Sequence, residues 1–390
     1  MSKPVIFSGS NPSNMYLEAL MKLVNEGDEL APKGKRIKEL RPVILAFEAP
    51  ERRVTFLKKR IINPFFQLAE SWWIATGGTD AEWLSEYNKS ILNFSDDGKF
   101  FNAPYGERLR AWGKNDARGY VYNPIDQLKD CYEKLLADND TRQAVAFIGD
   151  PRFDNSSYTL AGGKDIACNI NIKFKIRNGK LDITVDNRSN DLHWGTFGAN
   201  LCQFSTIQSM MAAWLGIPVG TYYQITDSLH IYLDDFGASE TGKLMTAYGL
   251  EEGDEILPDV EEHYFAGEPQ MTASVEEFEN ISAFYWDVID GRLRAPKEAF
   301  EEMAETTLKG IIQCPDEYLA LTFTAMFVKQ AHNKGLSEWV VKGMDAMAES
   351  SWKVSCLRFL YKSHKDTEGF SDLYRSLPEE IIEYIERKEV

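Results

Sequence analysis

Long apolar runs are missing from this sequence: no stretch of its 390 residues approaches the roughly eighteen consecutive apolar side chains of a membrane-spanning helix. The opening MSKPVIFSGSNPSN lacks both a charged n-region and an apolar h-region, so the expected location is the cytoplasm, away from membranes. Cysteine is sparse, and the five present (Cys131, Cys168, Cys202, Cys314, Cys356) are widely spaced, odd in number and free of any CxxC pair. That pattern argues against a disulfide framework or a structural zinc site and leaves each thiol to be read first as a small buried hydrophobe. Histidine is equally sparse. His193, His263, His332 and His364 show no metal-ligand spacing, and no metal is expected. Positive charge is in deficit too, 43 Lys and Arg against 60 Asp and Glu, a net −17. Sequence-independent nucleic-acid binding needs a basic surface that displaces counterions, so direct nucleic-acid binding is not expected. A small basic pocket for an anionic metabolite stays open. The glycine pairs Gly77-Gly78 and Gly162-Gly163 stand in neither a Walker nor a GxGxxG context, which removes the familiar phosphate loops.

What is present is apolar material for a large core, and patterning that changes along the chain. Residues 15–27 read as an amphipathic helix closed by Gly27, residues 61–75 as an apolar helix whose only acid is Glu70, and 124–137 as a further helix. Residues 42–48, 53–57, 142–149, 166–176, 180–187 and 221–232 read as strands, with Asn178-Gly179 as a tight hairpin. A mostly apolar helix is expected over 200–216. From Asp234 to Glu277 the chain turns acidic and rich in Gly and Pro; beyond about 275 it reads as helix throughout, with a start near Pro315 and helices at about 336–363 and 378–388. The expected organisation is an α/β (α+β) domain over 1–235, an acidic linker or surface segment over 236–275 and a helical extension over 276–390.

Two places could carry chemistry. DNRSNDLHWGTFGAN (186–200) crowds Arg, Ser, Asn, Asp and His between a strand and a buried helix; it reads equally as a ligand site or as a capped turn with Asn200 at the helix N-cap. Glu70 either escapes at a helix edge or is buried with a raised pKa, ready for proton work.

The segments AESWWIATGGTD (69–80), NAPYGERLRAW (102–112), DTRQAVAFIGDP (140–151), DIACNINIKF (165–174), RSNDLHWG (188–195) and SLHIY (228–232), in this order, resemble the thymidylate synthase superfamily. The variants FSDDG, YG-x-RL, RQAV and RSND-x-x-WG are similar to its pyrimidine-nucleotide hydroxymethylase branch. The resemblance implies a mixed sheet with packed helices, a homodimer, and one-carbon transfer from 5,10-methylenetetrahydrofolate to C5 of a pyrimidine nucleotide. Cys168 matches the nucleophile that adds to C6, a task suited to a thiolate. Glu70 matches the general acid/base and Tyr105 the tyrosine that assists proton removal. Arg188, followed by Ser189, matches the arginine that contacts phosphate and nucleophile. Arg142 matches one of two phosphate-binding arginines lent by the neighbouring subunit, the second being Gln143 here; Lys33 or Arg36 supplies a further contact. His230 and Tyr232 match the pair on the sugar 3′-hydroxyl, and Asp191, with Gly195, the pterin anchor. Asn200 matches the base-reading position, with one extra residue between Gly195 and Asn200, and an amide there suits uracil.

Three departures from the methylating enzymes bear on the product. Ile91 is kept, but Leu92 stands where a shielding Trp is usual; Asn169 replaces the His after the nucleophile; and the chain ends Glu-Val after a helical extension, without the carboxylate tail that closes the methylating site. The expected outcome is capture of the transferred carbon by water, giving 5-hydroxymethyl-dUMP for a phage-type modified DNA. The alternatives are a thymidylate synthase making dTMP, a CMP or dCMP hydroxymethylase, and a non-catalytic interaction protein on the same fold.

Overall fold

Asn178 and Gly179 both take positive φ, 53° and 72°, the backbone that a two-residue type I′ turn demands, and the strands they join pair antiparallel from Arg177–Lys180 upward. That hairpin is the middle of the larger of two sheets. In the computed structural model, which describes residues 4–113, 124–265 and 267–387, the strands are β1 (Val5–Gly9), β2 (Asp28–Leu30), β3 (Ile37–Leu40), β4 (Val43–Phe47) and β5 (Val145–Phe147). They continue as β6 (Asn169–Arg177), β7 (Lys180–Asn187), β8 (Asn190–Asp191), β9 (Val219–Thr226) and β10 (Leu229–Tyr232). Six form a mixed sheet in the order β1-β4-β9-β7-β6-β5; the other four run β2-β3-β10-β8.

The helix Leu201–Leu215 is apolar nearly all round and buried nearly all round, as its composition requires, and ends at Gly216 with φ 64°. Before it, Leu192–Asn200 winds as a π-helix, with the Leu201 N–H reaching the Thr196 carbonyl five residues back. A π-turn accommodates one more residue than an α-turn.

The described chain has two compact units: residues 1–60, 73–85 and 89–262, holding both sheets, and residues 61–72, 86–88 and 263–390. The second is helical. Its longest helix, Glu317–Asn333, is capped by Asp316, whose carboxylate accepts from Leu319 N–H. The ring of Trp72 lies within 4.8–5.8 Å of those of Phe323, Tyr285 and Phe278, an aromatic cluster at the centre of this unit. No helix among the described residues is long and apolar enough to cross a membrane.

The structure corrects several boundaries. Residues 53–57 form no strand: Phe56 N–H is taken by the Ser13 hydroxyl, and buried Arg53 reaches Ser205 and Ser209. The run 221–232 is two strands in different sheets, parted at Asp227-Ser228. The helix expected over 336–363 is two, Ser337–Ala346 and Ser351–His364, because Ser350 caps a new start through Lys353 N–H. The helix expected over 124–137 starts at Gln127 on its Asp126 cap. The helix expected over 378–388 spans Glu379–Glu386; residue 388 and the terminal Glu-Val lie outside the described residues. The segment read as acidic linker opens with a helix, Asp235–Tyr248, that buries Glu240 and Leu244, and the first unit continues to Glu262. Asn200 is no N-cap; it is already helical.

Trp72→Ala should lower the stability of the helical unit by about 3–5 kcal/mol through the cavity it leaves, read as an earlier urea transition in that unit; an unchanged transition would remove the aromatic cluster from its core.

Candidate active site

The register of β6 against β7 sets the geometry. Asn169 faces Asn187, so Cys168, one residue before β6, meets Arg188, one residue after β7, and Arg188 N–H donates to the Cys168 carbonyl at 2.9 Å. The Arg188 side chain then folds along the loop that carries Cys168. Its Nε donates to Ala167 O at 2.8 Å and its Nη2 to Ile166 O at 3.0 Å, with Cys168 Sγ 3.5 Å away. A guanidinium carries five N–H donors; Nη1 has no partner among the described residues and the side chain is exposed, so it can meet an anion from outside. Burial pushes the Cys168 thiol up, and the Arg188 charge opposes that rise. Asp165 and Asp154 push the same way as burial.

Tyr105 opens the short helix Tyr105–Arg110 and reaches the same loop. Its hydroxyl oxygen accepts from Cys168 N–H at 3.2 Å and Asn169 N–H at 3.4 Å, and its proton goes to Asn169 Oδ1 at 3.0 Å. Burial drives its ionisation far above the usual range, so it acts as a neutral hydroxyl. The helix is anchored by buried Arg108, bidentate to Asp154 at 2.6 and 3.0 Å and bonded to the Ile148 and Asn102 carbonyls. Asp165 ties the two segments: its carboxylate accepts Ala103 N–H at 2.6 Å, and burial raises its pKa to about 6.

Beneath the thiol lies a run of uncharged amides. Asn187 Nδ2 lies 3.5 Å from Asn200 Oδ1, and Asn200 Nδ2 lies 3.1 Å from Gln203 Oε1 and 3.4 Å from Asn169 Oδ1. Cys168, Tyr105, Arg188 and Asn200 are therefore brought together.

A second cluster gathers on the smaller sheet. β8 pairs parallel with β10 so that Asp191 faces His230. Burial raises the Asp191 carboxyl, which His230 opposes, and the His193 N–H donates to it at 2.7 Å. Behind it, Tyr16 Oη lies 2.5 Å from His193 Nδ1 and Arg60 Nη2 donates to His193 O; Arg60 also pairs with buried Glu240 at 2.7 Å. Burial and the Arg60 charge lower the His193 pKa to about 3, so its imidazole stays neutral, with Tyr16 Oη at Nδ1 and Thr241 Oγ1 3.0 Å from Nε2. Tyr232 stands edge-on to His230, ring centroids 5.2 Å apart. Gly195 is required: a Cβ there would lie 2.1 Å from Asn190 Oδ1.

The remaining expected residues lie apart from these two clusters or in different surroundings. Lys33 is exposed at φ 53°; Arg36 is exposed and paired with Asp234 at 2.8 Å; Arg142 is exposed, with no hydrogen bond or ion pair to a described residue. Ser189 is half-buried between β7 and β8, Ile91 is buried and Leu92 half-buried in the turn Lys89–Phe94. Glu70 is half-buried on the helix Pro64–Ala75, in the part that belongs to the helical unit. Asn187, Gln203, Asp165, Tyr16 and Arg60 were not singled out by sequence pattern. Arg60 had no local signal, since its partner Glu240 is 180 residues away. No group of three or more His, Cys, Asp or Glu among the described residues is placed to hold a metal ion.

The family model described as thymidylate synthase matches residues 14–251. The chain is 50% identical over 387 residues, 98% of its own length and 99% of the other, to a protein of Bacillus phage SP01 named deoxyuridylate hydroxymethyltransferase. A protein of the same name from Pseudomonas phage M6 is 36% identical over 192 residues, 49% of this chain and 51% of that one. A putative thymidylate synthase of Methanosarcina barkeri is 31% identical over 159 residues, 41% of this chain and 65% of that one. The SP01 match thus runs through the C-terminal helices, beyond the end of the family model.

Replacing Arg188 by Met removes the charge that opposes burial at Cys168. The thiol pKa should rise, and alkylation of Cys168 by iodoacetamide at fixed pH should slow about three- to tenfold, its pH profile moving to higher pH; an unmoved profile would show that Arg188 does not tune the thiol.

Proposed function

The chain belongs to the thymidylate synthase family, and from that premise we propose that it is a one-carbon transferase that hydroxymethylates dUMP at C5, releasing 5-hydroxymethyl-dUMP and tetrahydrofolate. The carrying observation is 50% identity over nearly the full length to a phage protein of that name, together with a thiol, a guanidinium and a tyrosine assembled at one loop.

Cys168 Sγ forms the bond to C6. Arg188 holds the loop through two carbonyls, favours the thiolate and turns its free Nη1 toward the nucleotide phosphate, joined by Lys33 or Arg36. Ser189 lies beside this arginine. Addition at C6 makes C5 nucleophilic; after transfer Tyr105, kept neutral by burial, hydrogen-bonds at the proton leaving C5, and Glu70 serves as general acid/base. His230 and Tyr232 hold the sugar hydroxyl. Asn200, at the centre of the buried amides, stands at the base.

5,10-Methylenetetrahydrofolate, when bound, supplies one carbon at the oxidation level of formaldehyde. The residues present fit such a group. Asp191 is a buried carboxyl held by backbone N–H groups, and neighbouring Asn190 has a buried Nδ2 with no partner. With Gly195, Ile91 and Leu92 these would hold the pterin. Leu92 in place of a large indole leaves room for the water that captures the transferred carbon.

Dimerisation is part of the proposal. Arg142 is exposed and without a described partner, suited to a neighbouring subunit's phosphate site, and the large sheet exposes Ile6 (64%) and Phe147 (51%). Such an enzyme would work on the nucleotide pool of a host cytoplasm.

Full-length protein incubated with dUMP and methylenetetrahydrofolate should yield, by mass spectrometry, a nucleotide heavier by one CH2O and no dihydrofolate. Thymidylate with stoichiometric dihydrofolate would sink the reading. Cys168→Ala should abolish turnover, and persistent product formation would refute the covalent route.

A further inference from the structure

Three segments converge on Asp165, which stands three residues before Cys168. Its backbone N–H donates to the Tyr158 hydroxyl and its carbonyl accepts from Asn102 Nδ2, both at 3.0 Å. Its carboxylate Oδ2 accepts Ala103 N–H, two residues before Tyr105. The neighbouring Lys164 is tied to the residues that follow the turn of Ile91 and Leu92. Its N–H donates to Asp96 Oδ1 and its ammonium to the Ser95 carbonyl, both at 3.1 Å. The segments that carry the thiol, the tyrosine and Leu92 are therefore joined at residues 164 and 165.

One carboxylate oxygen is left over. Asp165 Oδ1 takes no hydrogen bond from a described residue, and Asp165 is half-buried, so this oxygen stays open to a small molecule. The charges around it are already committed. Asp154 is bidentate to Arg108 and accepts Asp150 N–H; Asp96 accepts from Tyr158 and Lys164. Arg108 spends the rest of its fork on the Ile148 and Asn102 carbonyls. Burial raises the Asp165 carboxyl to about 6, with Asp154 and Asp96 adding to the rise and Ala103 N–H and Arg108 opposing it. A carboxylate of that basicity takes and returns a proton near neutral pH.

We infer that Asp165 is the general base of the hydration step, its Oδ1 accepting a proton from the water that captures the transferred carbon. This rests on the hydroxymethylation reading above. At that stage the carbon is a methylene double-bonded to C5, and Cys168 Sγ is bonded to C6. The water oxygen bonds to the methylene carbon, the π pair moves onto C5 and O4 as an enolate, and the water proton passes to Oδ1. The enolate pair then forms the C5–C6 double bond while the C6–S bond breaks and its pair leaves on sulfur. No oxidant or reductant is consumed. Ionised Asp165 pushes the Cys168 thiol pKa up. Its protonation removes that charge as the thiolate departs, so capture assists expulsion. The open side of the carboxyl then returns the proton to water.

The test compares full-length wild type with Asp165→Asn, whose amide oxygen still accepts Ala103 N–H but whose free end is no base. Both receive dUMP tritiated at C5 and methylenetetrahydrofolate, with and without 2-mercaptoethanol. Tritium release reports the C5 proton loss that precedes hydration. 2-Mercaptoethanol attacks the same methylene carbon as its own thiolate and needs no protein base. The variant should form 5-hydroxymethyl-dUMP at least about a hundredfold more slowly. In single turnover its tritium release should persist, and its ratio of thioether to hydroxymethyl product should rise at least about tenfold. Calorimetry should give both proteins the same Kd for dUMP within about twofold. An unchanged hydroxymethyl rate would overturn the proposal. So would a uniform fall in tritium release and both products with their ratio unmoved, which would leave the carboxyl a loop tether only. The wild type supplies a measurement that needs no variant: its hydroxymethyl rate relative to tritium release should fall as pH drops through about 6. A relative rate flat across about pH 5 to 8 would overturn the assignment. Thymidylate and dihydrofolate from the wild type would instead remove the hydroxymethylation reading, and this step with it.

Discussion

The pairing of β6 with β7 is the constraint on which the site depends. Side chains alternate along a strand, so a one-residue slip would send Asn169 and Asn187 to the opposite face and separate Cys168 from Arg188. The Asn178-Gly179 turn pins the register at one end. At the other the register shifts between Asn169 and Asn171, an irregularity that lies beside Cys168, where such features re-aim side chains. The thiol and the guanidinium meet because the hairpin turn and the register shift together place Cys168 opposite Arg188.

Around that pair the protein uses charge sparingly. The chain is strongly acidic, yet the groups nearest Cys168 are one guanidinium, one neutral tyrosine and a set of amides. A buried thiolate beside further carboxylates would be disfavoured; the two acids that do influence it, Asp165 and Asp154, are held in backbone and arginine contacts that also position Tyr105. The bonds that satisfy Asp165 and Asp154 thus also hold the segment that carries Tyr105. The second cluster is likewise held together by hydrogen bonds that link Tyr16, His193, Arg60 and Glu240 behind Asp191.

Local pattern made much of the fold legible. Asn-Gly announced the hairpin, the apolar run before Gly216 announced the central helix, and alternation announced β7 at its observed limits. It failed where a side chain from elsewhere claimed the backbone. Residues 53–57 have strand-like residues but spend their groups on Ser13, Ser205 and Ser209. The acidic stretch after Asp234 reads as linker or surface; it opens with a helix whose Glu240 is buried against Arg60. Of the site, Cys168, Tyr105 and Arg188 were readable as motif residues. The amides of Asn187 and Gln203 were not, since nothing about an asparagine in a strand or a glutamine in an apolar helix declares a partner.

The sequence by itself determined the family, the mixed α/β class with helices following, and the residue types at the nucleophile, because these rest on motif order and on periodicities of two and 3.6 that are local properties. Only the tertiary structure decided which amide faces which, where the chain divides, and that residues 192–200 wind as a π-helix. Those depend on contacts between segments far apart in the chain, where a hydrogen bond's direction is set by all the groups that crowd around it at once.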